Sequence, residues 1–179
     1  MAYLHTWSIG FSRLFICILI LFCAEQLVAQ DTIAIKKQAA RFAAATFNGD
    51  HKTVIDLTYP ALIELSGGRE MMQKLITDKI ETIRKRGIVK FEGTVGLPGP
   101  VYKAGTQLHC LIPEYIIFRM PKGHYYAESY LLGVSDDNGK KWKFLDVGSM
   151  PQTILHKLLP NYNDALVIPQ SAKPVYFAD

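Results

Sequence analysis

The feature that most constrains this chain is a change of hydrophobic period at Gly87. Between residues 31 and 86, apolar residues recur at spacings of three and four, which is typical of amphipathic helices. After Gly87, aromatic and β-branched residues dominate and the period falls to two, which is typical of strands. Because the helices come first and do not alternate with strands, we expect an α+β fold with an antiparallel sheet.

The helices are bounded by local signals. Asn48 and Gly49 end the first helix, Asp50 can cap the second by accepting a backbone N–H, and Gly87 ends the longest. A shorter helix is expected after the strands, opened by Pro151. The predicted helices cover residues 31–47, 51–57, 61–65, 69–85 and about 151–159.

Four strands are expected, near residues 88–95, 102–119, 124–135 and 141–147. Asp137-Asn138-Gly139 predicts a hairpin between the last two, because Asn-Gly accepts the positive φ angles of a tight turn. Pro121-Lys122-Gly123 predicts the turn before it. Pro113 lacks a backbone donor and predicts a bulge or bend. The tail from about residue 160 is expected to be irregular.

Three stretches of the chain resemble the NTF2-like (cystatin-like) superfamily, and more narrowly its small exported bacterial members. They are Phe47 to Asp50 with Val54 to Pro60, Ala127 to Leu132, and Ser135 to Asp146. The resemblance implies N-terminal helices packed on one face of a curved half-barrel of about four antiparallel strands. The superfamily contains isomerase-like and dehydratase-like enzymes, ligand-binding domains and dimerising adaptors, so the fold does not fix the function.

The first 29 residues are expected to form a signal peptide. His5 and Arg13 precede a short apolar run over residues 14–23, and Val28 and Ala29 provide a candidate cleavage site after it. This run is about half the length of a membrane-spanning helix. Cleavage after Ala29 or Gln30 would export one domain, residues 30–179, to the periplasm or the medium, without stable membrane insertion. Retention of the segment as an N-terminal anchor is the alternative.

A candidate pocket is predicted between the helices and the concave face of the sheet. The larger side chains of the third strand should point into it, with further residues from the fourth strand and with Tyr59 at the cavity mouth. The predicted lining consists of Tyr59, Tyr126, Glu128, Tyr130, Trp142 and Asp146.

Two carboxylates in this set could act as a general base, because burial raises the pKa of a carboxyl. These are Glu128 and Asp146. The alternative is structural: Glu128 would form an ion pair at the rim of the sheet, and Asp146 would accept backbone amides at a strand end. The sequence leaves both interpretations open.

Several classes of site have no support in the sequence. The histidines show no metal-ligand spacing, GxSxG is absent, and no cofactor is implied. The formal net charge of +4 is too small to indicate nucleic acid as a partner. Cys110, which would be the one cysteine left after cleavage, is expected in the core, and His109 on the opposite, exposed side of the strand.

The favoured function is therefore an exported, non-catalytic module that binds a small apolar ligand or mediates association. The alternative function is a small lyase, isomerase or hydrolase with a pocket carboxylate as general base. A third hypothesis is an obligate partner-binding protein with a collapsed pocket, whose small residues Ala127, Ser129 and Gly133 would let the outer sheet face lie flat against another sheet. A homodimer formed through the sheet is a further expectation.

Overall fold

Four helices precede the strands, and a fifth lies between the last two strands. The computed structural model describes residues 32–179, so the predicted signal peptide and its cleavage site lie outside the described residues. The first helix, α1, is described over residues 32–48. The others are α2 (His51–Leu57), α3 (Pro60–Leu65), α4 (Arg69–Lys85) and α5 (Gln152–Leu158). Within residues 32–179, no helix is long and apolar enough to cross a membrane.

The helix ends follow the predicted signals. The carboxylate of Asp50 accepts a hydrogen bond from the backbone N–H of Thr53 at 3.0 Å and caps α2. Gly68 and Gly87 flank α4, and both have positive φ angles, 96° and 86°, that side-chain-bearing residues rarely adopt. The predicted helix over residues 69–85 is confirmed at both ends.

The sheet has six strands and forms a curled antiparallel half-barrel. Its central order is β1-β3-β4-β5, with β2 beside β3 and β6 beside β4. The strands are β1 (Lys90–Val95), β2 (Val101–Ala104), β3 (Gln107–Met120), β4 (Gly123–Ser135), β5 (Lys143–Asp146) and β6 (Val175–Ala178). The predicted α+β class, with helices ahead of a curved antiparallel sheet, is confirmed.

Two strand assignments from the sequence were wrong. The single strand expected over residues 102–119 is a hairpin of β2 and β3, in which Ala104 pairs with Gln107 across a turn at Gly105. The φ angle of Gly105 is 64°, so a lone glycine provides the turn. The tail expected to be irregular ends in β6, which pairs with the first residues of β4.

The bulge expected at Pro113 does not form. The register between β3 and β4 continues without interruption from the Leu108–Ser135 pair to the Met120–Gly123 pair. The carbonyl of Pro113 accepts from the backbone N–H of Gly96 at 2.8 Å, on the side of β3 away from β4. Because N–H and C=O of one strand residue point to the same side, the missing donor removes no hydrogen bond from the β3–β4 ladder.

Different helices pack on the two faces of the sheet. We call the face that packs on α1 the α1 face; it carries Cys110, Ile112, Leu131 and Phe144. The other, which we call the α5 face, carries Leu132, Val134 and Leu145. Side chains from α1 complete the first core, and they are Ile35, Ala39, Phe42, Ala43 and Ala45. Side chains from α5 and the following segment complete the second, and they are Leu155, Leu158, Leu159 and Leu166.

The hairpin predicted at Asp137-Asn138-Gly139 is confirmed. β4 and β5 pair antiparallel on either side of it, and Asn138 and Gly139 have φ angles of 58° and 84°. The hydroxyl of Ser135 accepts the backbone N–H of Gly139 at 2.9 Å, and the Asp137 carboxylate accepts that of Lys141 at 2.8 Å. The Asp137 carboxylate therefore binds the backbone of its own loop.

Candidate functional site

An open groove of about 410 Å³ lies on the α5 face, at the end of the strands that α5 does not cover. Strands β1, β3 and β4 contribute its floor, and their register brings side chains from all three strands to one face. The lining residues are Glu92, Gly93, Thr94, Tyr115, Ile117 and Tyr126. This volume is in the range of small-molecule sites, and the walls are mostly apolar.

Two tyrosines dominate the groove. The rings of Tyr115 and Tyr126 are nearly parallel, with an interplanar angle of 15° and centroids 6.4 Å apart, so they are offset from one another. They sit on neighbouring strands, one step apart diagonally, since Ile117 is the residue paired with Tyr126. Together they present aromatic surface to a ligand.

The rim of the groove is charged on both sides. Lys90 and Arg119 hold the carboxylate of Glu92 at 2.6 and 2.5 Å, and the pKa of Glu92 is lowered by these two hydrogen bonds. On the other side, the hydroxyl of Tyr126 donates to Glu128 Oε1 at 3.1 Å. Partial desolvation and the Glu128 carboxylate raise the pKa of Tyr126. The groove therefore offers both carboxylates and cations around an apolar floor.

The six residues predicted to line one pocket do not come together. Tyr126 lines the groove, Glu128 is exposed beside it, and Tyr130 lies further along β4, against the core under α5. Tyr59 lies at the edge of that same core, where its hydroxyl accepts from the amide of Gln107 at 3.0 Å.

The remaining two predicted residues point to the α1 face. In the β4–β5 register Asp146 pairs with Leu131 and Phe144 with Gly133, so Asp146, Phe144 and Trp142 lie opposite Tyr126 and Glu128. Trp142 is 1% exposed and belongs to the core, where its indole N–H donates to the carbonyl of Gly139 at 2.8 Å. The shared cavity expected for Asp146 and Glu128 is therefore not formed.

A second candidate site surrounds Glu114, which sequence reasoning missed. Glu114 is 5% exposed and lies on the α1 face between Val95 of β1 and Ser129 of β4. The hydroxyl of Ser129 donates to Asp146 Oδ1 at 3.0 Å, and the backbone N–H of Gly148 donates to the same oxygen at 3.2 Å. Within the described chain, the Glu114 carboxyl itself has no hydrogen bond and no ion pair.

The pKa of Glu114 is raised to about 7. Burial is the largest cause, because it disfavours the ionised form, and the nearby Asp146 carboxylate adds to it. Lys79 on α4 acts in the opposite direction, more weakly. A carboxyl that exchanges its proton near neutral pH can act as a general acid or base.

The alternation of β3 could have revealed Glu114. Cys110, Ile112, Glu114 and Ile116 share one parity, so a charged residue occupies the buried face of an otherwise apolar strand. The predicted alternation covered only the stretch around His109 and Cys110 and did not extend to Glu114. The structural alternative for Asp146, that it binds a backbone amide, is what the structure shows.

His109 is buried, not on the surface as expected. Its ring stacks on Tyr162 with centroids 5.8 Å apart, and its Nε2 lies 3.2 Å from Gln107 Oε1. Its Nδ1 is buried and has no hydrogen-bond partner among residues 32–179. The expectation failed because the segment after α5, assigned as irregular tail, covers this face. Cys110 on the other face is buried as predicted, and burial raises the pKa of its thiol to about 12.

Comparisons with known proteins assign this chain to no family. The chain matches no protein-family model, and no curated protein or solved structure is significantly similar to it. In the part of the chain that the structure describes, no group of three or more His, Cys, Asp or Glu residues is arranged to hold a metal ion.

Proposed function

We propose that this chain is an exported, non-catalytic binding module that takes a small, mainly apolar, ring-bearing ligand in the groove whose floor carries Tyr115 and Tyr126. The observation that carries the proposal is the near-parallel tyrosine pair on the floor of an open cleft of about 410 Å³. Aromatic rings pack favourably on other rings and bury a large apolar area per side chain. The polar groups at the rim would orient such a ligand.

The charges around the groove support a specific mode of binding. The Lys90–Glu92–Arg119 cluster holds two cations on one carboxylate, so it forms a fixed polar edge that keeps one net positive charge. Glu128 is exposed, and within residues 32–179 its carboxylate accepts a hydrogen bond only from the Tyr126 hydroxyl. Apolar burial would supply most of the affinity, at about 25 cal/mol per Å² of surface removed from water.

Membership of the NTF2-like superfamily and export by a signal peptide are part of this proposal. The curled antiparallel half-barrel with preceding helices is compatible with the superfamily. The apolar run over residues 14–23 and the small residues after it support export.

Binding can be tested with 8-anilinonaphthalene-1-sulfonate, a ring-bearing probe whose fluorescence rises when it leaves water. The unmodified protein should bind it at one saturable site. Tyr126→Ala should weaken binding about tenfold, which corresponds to about 1.4 kcal/mol. Tyr125→Ala is the matched control, because Tyr125 is its neighbour on β4 and points to the opposite face. Equal binding by both variants, or no saturable binding by the unmodified protein, would contradict the proposal.

A second candidate function is a small enzyme of the lyase, isomerase or hydrolase type with Glu114 as general base. The observation that favours it is the buried, unbonded carboxyl beside the Ser129–Asp146 pair, with a pKa raised to about 7. Glu128 is not supported in this role because it is exposed. The test is a titration of the Glu114 side-chain carboxyl by ¹³C NMR. A midpoint near 7 supports this candidate, and a midpoint near the usual 4.5 removes it.

A further inference from the structure

The last strand of the sheet has an unpaired outer edge. β6 pairs with residues 123–126 of β4, and among the described residues no other segment forms backbone hydrogen bonds with its second side. Several contacts fix it in place. Phe177 stacks on His124 with centroids 5.4 Å apart, and the Tyr176 hydroxyl donates to the carbonyl of Lys122 at 2.6 Å.

The outer edges of β1 and β5 are protected, and that of β6 is not. β1 carries the charged residues Lys90 and Glu92, which oppose pairing with another strand. The outer side of β5 is occupied by Thr58 and Tyr59, since the backbone N–H of Tyr59 donates to the carbonyl of Phe144 at 3.1 Å. β6 reads Val-Tyr-Phe-Ala, with no charge, no proline and no bulge.

The side chains of β6 are apolar and exposed on both faces of the strand. The exposed fractions of Val175, Tyr176 and Phe177 are 53%, 45% and 48%. An edge strand with free backbone groups and exposed apolar side chains is a site for strand addition. Either of these features alone would be ordinary, but here both occur on the same four residues.

We propose that β6 pairs antiparallel with β6 of a second copy of this chain, which joins two sheets across a twofold axis. In the register centred on Tyr176, the two Tyr176 side chains meet on one face of the joined sheet. Phe177 of each copy lies opposite Val175 of the other on the second face. Aromatic and aromatic–β-branched pairs of this kind are among the favourable cross-strand pairs.

The charges flanking β6 fit the same register. Lys173 and Asp179 lie three residues to either side of Tyr176, so each Lys173 is opposite Asp179 of the second copy. Both residues are exposed, and among the described residues Asp179 contacts only His124, whose Nδ1 lies 3.4 Å from Asp179 Oδ1. Two symmetric pairs of opposite charge would therefore close the ends of the paired strands. A foreign peptide strand would not have this complementarity built in.

Charge reversal tests this pairing without disturbing the core. In sedimentation velocity, the protein recovered from its exporting host should form a dimer as its concentration rises from micromolar to hundreds of micromolar. Lys173→Glu and Asp179→Lys should each weaken the dimer about tenfold or more, because each creates two like-charge pairs. The double variant restores opposite charges and should recover the dimer. Lys157→Glu, on exposed α5 surface, is the control that should change nothing.

Three results would overturn the proposal. A protein that stays monomeric throughout the concentration range has no self-pairing edge. A dimer that neither single reversal affects is held elsewhere or by exchange of β6 between copies. A double variant that dimerises no better than the single variants shows that Lys173 and Asp179 do not face one another.

Discussion

Glu114 on β3 lies directly opposite Ser129 on β4, whose hydroxyl is donated to Asp146 and not to Glu114. The buried carboxyl is thus next to a hydrogen-bond donor that is already used by another carboxylate. This relationship explains why burial and the Asp146 charge can raise the pKa of Glu114 together. It also predicts how the stability of the fold depends on pH.

Glu114→Gln should stabilise the protein at alkaline pH. Below pH 4.5 the carboxyl is protonated in both the folded and unfolded states, so its ionisation does not lower the free energy of unfolding. Between pH 4.5 and about 7 the unfolded state loses the proton first, and above about 7 the full penalty is present. The free energy of unfolding of the variant, relative to the unmodified protein, should rise by roughly 3 kcal/mol between pH 4.5 and 8.

The measurement is urea unfolding at both pH values, with Glu128→Gln as the exposed control on the next strand. The control should show no such trend. A difference between Glu114→Gln and the unmodified protein that is constant with pH would show that this carboxyl ionises normally in the folded state.

His109→Gln should reduce the sensitivity of the fold to acid. Burial lowers the pKa of His109 below its usual 6.5, so the folded state holds the neutral ring. Below pH 6.5 the unfolded state takes up a proton that the folded state does not, and stability falls as the pH drops. Charged and polar groups near the ring are Asp136, which acts in the opposite direction, and Gln107 and Tyr162.

Thermal unfolding at pH 7.5 and pH 5 would measure this effect. The loss of stability between the two pH values should be smaller in His109→Gln than in the unmodified protein, and His51→Gln should behave as the unmodified protein does. If His109→Gln loses as much stability on acidification as the unmodified protein, the buried ring is not the source of acid sensitivity.

Gly93→Ala should destabilise the fold, although Gly93 is exposed and its φ angle is ordinary. A Cβ at this position would overlap Cζ of Phe47 and would lie 2.6 Å from the carbonyl oxygen of Tyr115. The backbone contact cannot relax by rotation of a side chain, so we expect a cost of about 1–3 kcal/mol. Gly99→Ala is the matched control, because its nearest contact would be an ordinary 3.4 Å to the carbonyl of Leu111. Equal unfolding midpoints for the two variants would refute the close packing of α1 on β1.

Trp142→Ala should destabilise the protein by about 3–5 kcal/mol, as expected for removal of a buried aromatic side chain. Trp142→Phe should cost less, because it keeps most of the apolar contacts and loses the hydrogen bond to the Gly139 carbonyl. Urea unfolding of both variants checks the order. An alanine variant as stable as the unmodified protein would show that the Trp142 side chain is not buried in the core, and the predicted pocket position would again be open to it.

Local signals made much of the fold predictable. Gly68 and Gly87 bound α4 because few other residues adopt their φ angles, and Asn138-Gly139 specified the β4–β5 hairpin for the same reason. Gly105 carries the same information, but as a single glycine inside a long β-like run it gave a weaker signal. β6 was missed because four residues after a proline-rich segment form a strand only when β4 provides a partner.

The site was less predictable than the fold, because it depends on what covers each face of the sheet. Alternation correctly placed Tyr126 with Glu128 and Trp142 with Asp146, but it could not show that the two sets point in opposite directions. That depends on the β4–β5 register, in which Leu131 faces Asp146. The burial of His109 likewise depends on Tyr162, more than fifty residues away along the chain.

The most direct test of the proposed binding function is native mass spectrometry of the protein recovered from its exporting host. A ligand held in the groove against Tyr115 and Tyr126 should appear as one discrete added mass, retained by Tyr125→Ala and lost by Tyr126→Ala. A bare chain in every preparation, or an added mass that Tyr126→Ala retains, would contradict the assignment of the groove as the ligand site.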